Sequence, residues 1–135
     1  LLQMTIDRIA PLIPKERRLV ITTAAQKPFI EQKVGDTVHT ILGEPAARNT
    51  AAAIAWACLT LHQQNPHAVV LILSADHYIP DQETFLCDLE EAALYAEHHD
   101  TIALLGIKPT TAATGYGYIE YDLKSTHKLH KVIRF

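Results

Sequence analysis

Short apolar runs alternate with helical stripes along this chain, and that alternation constrains the fold more than any other feature. Ala68 to Leu73 and Thr101 to Ile107 are almost continuously apolar, the pattern of strands covered on both faces of a parallel sheet. Arg18 to Thr23, rich in β-branched residues, and Thr37 to Leu42 read as two further strands. Helical patterns lie around them. Leu2, Ile6 and Ile9 form the stripe of an opening helix that Pro11 and Pro14 should end, and Ala25 to Lys33 is a short helix. A longer helix runs from Thr50 to Gln64 with Ile54, Ala57, Cys58 and Leu61 on one face, and Pro66 ends it. Another spans Asp81 to His98 with Phe85, Leu89, Ala92 and Ala96 as its stripe. Strands joined through helices build a parallel sheet, so the expected fold class is α/β, a doubly wound and mostly parallel sheet with helices on both faces. The rhythm changes after Pro109, where Tyr116 to Tyr121 and Lys128 to Phe135 read as strands around the polar Asp122 to His127. That quarter should add a hairpin or mixed-sheet extension.

The bulk numbers narrow the function. At 135 residues the chain is one ordinary domain. Lys and Arg are scattered and the net charge is −3, so there is no basic stripe for a nucleic-acid backbone and any bound nucleotide should be small. No apolar run approaches the roughly 20 residues of a membrane span, and a soluble protein is expected. Cys58 and Cys87 form no C-x-x-C pair and no signal peptide opens the chain, which reads as reduced, buried thiols in a cytoplasmic protein. His62, His67, His98 and His99 fall at helix ends or turns without metal-ligand spacing. Both ends look cut: an apolar stripe starts at the first residue without an N-cap, and the chain stops within a strand pattern.

Two stretches carry the chemistry. Gly43-Glu44-Pro45-Ala46-Ala47-Arg48-Asn49-Thr50-Ala51 joins a strand to a helix start, where free backbone N–H groups can meet an anion. Ser74-Ala75-Asp76-His77-Tyr78-Ile79 follows an apolar strand pattern and delivers one carboxylate to the edge where open α/β sheets bind ligands. Asp76 suits Mg²⁺, which is held by one or two carboxylates plus phosphate oxygens and water; the alternative is a cap, although Pro80-Asp81 already supplies a helix start. Glu44 can accept from both donor groups of guanine, or be a solvated turn carboxylate. Asn49 or Thr50 can be a plain N-cap and Arg48 a solvated cation. Ala51 to Ala53 leave room for a base or ribose, or serve helix propensity alone. In Thr114-Gly115-Tyr116-Gly117-Tyr118-Ile119-Glu120, glycines alternate with tyrosines whose hydroxyls can bond a sugar; by itself the segment also passes for a hairpin.

E-P-x-x-R-N-T-A, S-A-D-H-x-I and T-G-Y-G-Y-I, in this order and spacing, resemble the mannose-1-phosphate guanylyltransferase family over nearly the whole chain. The resemblance implies a glycosyltransferase A-type, three-layer α/β/α sandwich with a Rossmann-like sheet. It implies attack of a mannose 1-phosphate oxygen on the α-phosphorus of GTP, giving GDP-mannose and pyrophosphate with Mg²⁺. The implied sites are Glu44, Pro45, Arg48, Asn49, Thr50 and Ala51 for the nucleotide, Asp76 for the metal and catalysis, and Tyr116 and Gly117 for the sugar. The family's G-x-G-T-R-L-x-P loop and K-P-K-Q-F segment would precede Leu1, and its E-K-P segment would follow Phe135. Residues 1–135 are therefore expected to be a partial nucleotidyltransferase domain, inactive when isolated, with homo-oligomerisation left open. Two other readings compete: a non-catalytic nucleotide-sugar-binding module, and a sugar-1-phosphate nucleotidyltransferase using another NTP, against which Glu44 argues. An NAD-dependent Rossmann enzyme is disfavoured because no G-x-G-x-x-G follows a strand.

Overall fold

The computed structural model describes residues 1–122 and 129–135. They divide into two compact units, Leu1–Ala103 and Leu104–Phe135.

The first unit is organised by two parallel strands, β1 (Leu19–Thr23) and β2 (Thr40–Glu44), paired in register from Leu19 with Thr40 to Thr23 with Glu44. Helix α2 (Lys27–Val34) is the crossover between them, and α1 (Leu2–Ile9) closes the same core. Ile6, Val34 and Val38 are buried there, with Leu2, Val20, Ile30 and Ile41 packed against them. Each such side chain contributes about 1.5–3 kcal/mol when fully removed from water. Of the stripe expected in the opening helix, Leu2 and Ile6 pack in this core, and Ile9 is half-buried.

β2 begins later than its apolar pattern suggested. Gly35–Thr37 forms a 3₁₀ turn in which the Thr37 hydroxyl donates to the Val34 carbonyl at 2.8 Å. Arg18 ties this turn to the approach of β1, donating to the carbonyls of Ile13 at 2.8 Å and Thr37 at 3.1 Å. The ladder therefore opens at Thr40 and runs through to Glu44.

Helices α3 (Asn49–His62) and α4 (Gln82–His98) follow the expected stripes. Ala57 is buried and Ile54, Cys58 and Leu61 are half-buried on α3; Leu89 is buried and Phe85, Ala92 and Ala96 are half-buried on α4. Asp81 is the N-cap of α4, its carboxylate accepting from the Thr84 N–H at 3.0 Å. Cys87 is exposed rather than buried: it lies two residues from both Phe85 and Leu89, and residues two apart point to different sides of a helix.

Ala68 to Leu73 and Thr101 to Ile107 do not form the expected strands; both run without regular secondary structure. Ile72 is 51% exposed, Ile102 87% and Ile107 79%. A strand exists through its ladder, and among the described residues β1 pairs only with β2, so apolar composition is left without hydrogen-bonding partners.

In the second unit, β3 (Glu120–Tyr121) and β4 (Val132–Arg134) pair antiparallel with a register shift. The expected hairpin forms, but shorter than the patterns over Tyr116 to Tyr121 and Lys128 to Phe135. Arg134 Nε meets Glu120 Oε2 at 2.6 Å across it. Residues 123–128 of the connecting segment, including Lys128, lie outside the described residues.

Candidate functional site

The nucleotide candidates sit where β2 leaves the sheet. Glu44 is its last residue, half-buried, and its carbonyl accepts from the Ala24 N–H at 2.9 Å. Gly43 permits this closeness: a Cβ there would lie 3.1 Å from Ala24 Cα and 3.2 Å from Lys27 Cδ. The backbone at Glu44 is thus fixed by the ladder and by its continuation into the turn before α2.

Pro45 to Arg48 form an exposed connection, and α3 starts at Asn49. Neither Asn49 nor Thr50 is the N-cap. Arg48 holds the cap position with no side-chain hydrogen bond to the helix start. Asn49 has φ 64°, the one positive-φ residue other than glycine among those described, in a region where Asn is tolerated better than most residues. Asn49, Thr50 and Ala51 are exposed. The connection therefore presents first-turn N–H groups uncapped by a side chain, close in sequence to the half-buried Glu44 and the exposed Arg48.

Asp76 lies in an exposed turn between the unpaired apolar segment and α4. Because Asp81 caps α4, the capping alternative for Asp76 falls away. No side-chain hydrogen bond or ion pair engages Asp76 or Glu44 among the described residues. The turn is held from α1: the Thr5 hydroxyl donates to the Ala75 carbonyl at 3.3 Å, and Arg8 Nη2 donates to the His77 carbonyl at 3.2 Å. These two residues were missed in the sequence, where the apolar stripe drew attention away from the polar T-x-x-R pair beside it.

The described residues assemble no group of three or more His, Cys, Asp or Glu side chains fit to hold a metal. A cation arriving with phosphate needs less, because Mg²⁺ keeps phosphate and water oxygens and takes one or two carboxylates. A single exposed, unpaired Asp76 carboxylate fits that requirement.

Tyr116 and Gly117 belong to the second unit. Tyr116 is 78% exposed. A Cβ at Gly117 would meet nothing within 4 Å, and its φ is not positive, so local sterics do not require glycine there. The Tyr118 hydroxyl is committed to the Ala113 carbonyl at 2.8 Å.

A β-α-β unit with parallel strands and polar groups at the end of β2 has the build of an α/β protein, the class in which ligands bind beyond the strand ends. The chain belongs to the nucleotidyl transferase family, whose model matches residues 1–135, and it therefore takes the nucleotide-diphospho-sugar transferase fold. It is 38% identical over 125 residues to the mannose-1-phosphate guanylyltransferase of Salmonella montevideo, covering 88% of this chain and 25% of that protein. It is 33% identical over 140 residues to the mannose-1-phosphate guanylyltransferase of Escherichia coli, covering 100% of this chain and 30% of that protein. The xanthan biosynthesis protein XanB of Xanthomonas campestris pv. campestris is 42% identical over 89 residues, 66% of this chain and 19% of that protein. The chain thus spans less than a third of the length of these relatives. No solved structure matches it. No helix among the described residues is long and apolar enough to cross a membrane.

Proposed function

We propose that the protein carrying this chain makes GDP-mannose and pyrophosphate from GTP and mannose 1-phosphate, and that residues 1–135 supply part of its nucleotidyltransferase domain. The observation that carries the reading is the pair of unpaired carboxylates, Glu44 close to the side-chain-uncapped start of α3 and Asp76 in an exposed turn. The names of relatives matching most of the chain support the same substrates.

In the reaction a mannose 1-phosphate oxygen forms a bond to the α-phosphorus of GTP while the bond to the β-phosphate oxygen breaks, and pyrophosphate leaves. The nucleophile is already ionised, so no side chain need remove a proton from it, and alignment with charge neutralisation carries the catalysis. Glu44 accepts from N1–H and N2–H₂ of guanine. Uncapped N–H groups at the start of α3 and the Arg48 guanidinium attract the nucleotide's anionic groups, while Asn49, Thr50 and Ala51 line its approach and Pro45 sets the turn. Asp76 holds Mg²⁺, which when bound neutralises phosphate charge. Tyr116 and Gly117 are the candidates for contact with the sugar phosphate. The protein works in the cytoplasm.

Nucleotide-sugar products separated by chromatography and identified by mass test the proposal. GDP-mannose formed from GTP and mannose 1-phosphate is expected; a preferred product from UTP or dTTP would replace it with the other nucleotidyltransferase reading, and nucleotide-sugar binding without any product would leave the non-catalytic module.

A further inference from the structure

We propose that Thr5 and Arg8 of α1 are positioning residues that fix the backbone on both sides of Asp76 and so set where its carboxylate meets a divalent cation. The inference rests on the reading of Asp76 as the metal-holding carboxylate.

Thr5 at 6% and Arg8 at 5% exposure are the buried polar residues among those described. They stand three apart on α1 and therefore share a face. Both direct a donor to the same exposed turn, Thr5 to the carbonyl of Ala75 and Arg8 to the carbonyl of His77, the two residues flanking Asp76. The Arg8 guanidinium also lies 5.7 Å from the ring centroid of Phe85 in the first turns of α4, so one side chain spans α1, the Asp76 turn and α4.

A buried guanidinium costs free energy unless its donors find acceptors, and a side chain present only to fill space would be more stable as an apolar one. Here the charge is spent on a loop carbonyl. Among the described residues no other hydrogen bond engages residues 69–80. The segment before Asp76 lacks a ladder, and the N-cap bond of α4 starts five residues later at Asp81. Groups that orient a metal ligand without touching the metal change metal affinity or activity by about ten- to a hundredfold when removed.

The experiment measures Mn²⁺ binding in the presence of GTP by the loss of the free Mn²⁺ paramagnetic resonance signal, using the protein that carries this chain, with thermal unfolding in parallel. Arg8→Met is expected to weaken Mn²⁺ about tenfold and Thr5→Val about threefold. Arg8→Lys, which keeps a cationic donor, should recover part of the loss. Asp76→Asn is the reference. If it leaves Mn²⁺ binding unchanged, the metal reading of Asp76 fails and takes the inference with it. If it weakens Mn²⁺ while Arg8→Met and Thr5→Val lower only the unfolding temperature, the positioning role alone is overturned. Should Arg8→Met fail to fold, Thr5→Val decides, since it removes one hydroxyl and keeps the shape; unchanged Mn²⁺ affinity there overturns the proposal.

Discussion

The connection from Glu44 to Ala51 and the turn around Asp76 carry the same kind of sequence signal, polar groups at the end of an apolar run, yet they are held in different ways. Glu44 ends a strand whose backbone is paired residue by residue with β1. Asp76 follows a segment with no ladder, and its turn is fastened by two side chains of α1. A site built on a ladder inherits its geometry from many backbone hydrogen bonds, whereas one fastened by two donors depends on each of them. The first region should tolerate the loss of any one side-chain hydrogen bond around it; the second should not.

The largest effect is expected at the second region. Asp76→Asn keeps the size of the side chain and removes its charge, so turnover should fall by about a hundredfold or more with little change in unfolding temperature. Activity that survives at low Mg²⁺ would make Asp76 a turn residue and erase half of the contrast. At the first region, Glu44→Gln should lower the ratio of kcat/KM for GTP over ATP by about one to two orders of magnitude, the worth of a charge-assisted hydrogen bond. An equal fall for both nucleotides would assign Glu44 to supporting the connection rather than reading the base.

Gly43→Val probes how the ladder region is supported. Its Cβ would press on the Ala24 backbone at 3.1 Å, and overpacking of this kind costs about 1–3 kcal/mol, measurable by urea unfolding. Wild-type stability would show that the approach of Ala24 is not constrained. The smallest effect concerns the far side of the Asp76 turn. Thr84, chiefly through its backbone N–H and then its side chain, holds the Asp81 carboxyl below its ordinary value of 3.8. A lowered folded value means that the cap stabilises α4 above the unfolded value and that this contribution is lost as pH falls through the lower folded one. Unfolding temperature should therefore drop slightly more between pH 5 and pH 3 in the wild type than in Asp81→Ala; parallel curves would remove the cap from the account.

What the sequence made legible follows the same division between local and non-local forces. The α4 start was readable because Pro80-Asp81 precedes a regular stripe, and Asp81 does accept from Thr84. The start of α3 was read one residue late: Asn49 is a natural cap in isolation, but here it takes a left-handed conformation inside the helix and Arg48 occupies the cap position. Val20, Ile21 and the run from Val69 to Leu73 look alike as strand formers, and only the first pair found a ladder, because side-chain composition says nothing about what lies beside a strand. Thr5 and Arg8 were invisible for a related reason. Their partners are carbonyls 70 and 69 residues away, and a carbonyl leaves no mark in a sequence. Glu44 and Asp76 were legible as candidates because their chemistry is unusual for the end of an apolar run.

Hydrogen–deuterium exchange in the protein that carries this chain, with and without GTP and Mg²⁺, tests most directly whether both regions hold one nucleotide. Slower exchange is expected on addition of GTP and Mg²⁺ in residues 44–52 and in residues 74–79 together, with the second change lost in Asp76→Asn and the first retained. Unchanged exchange in either stretch of the wild type, at a GTP concentration that saturates binding, would contradict the account.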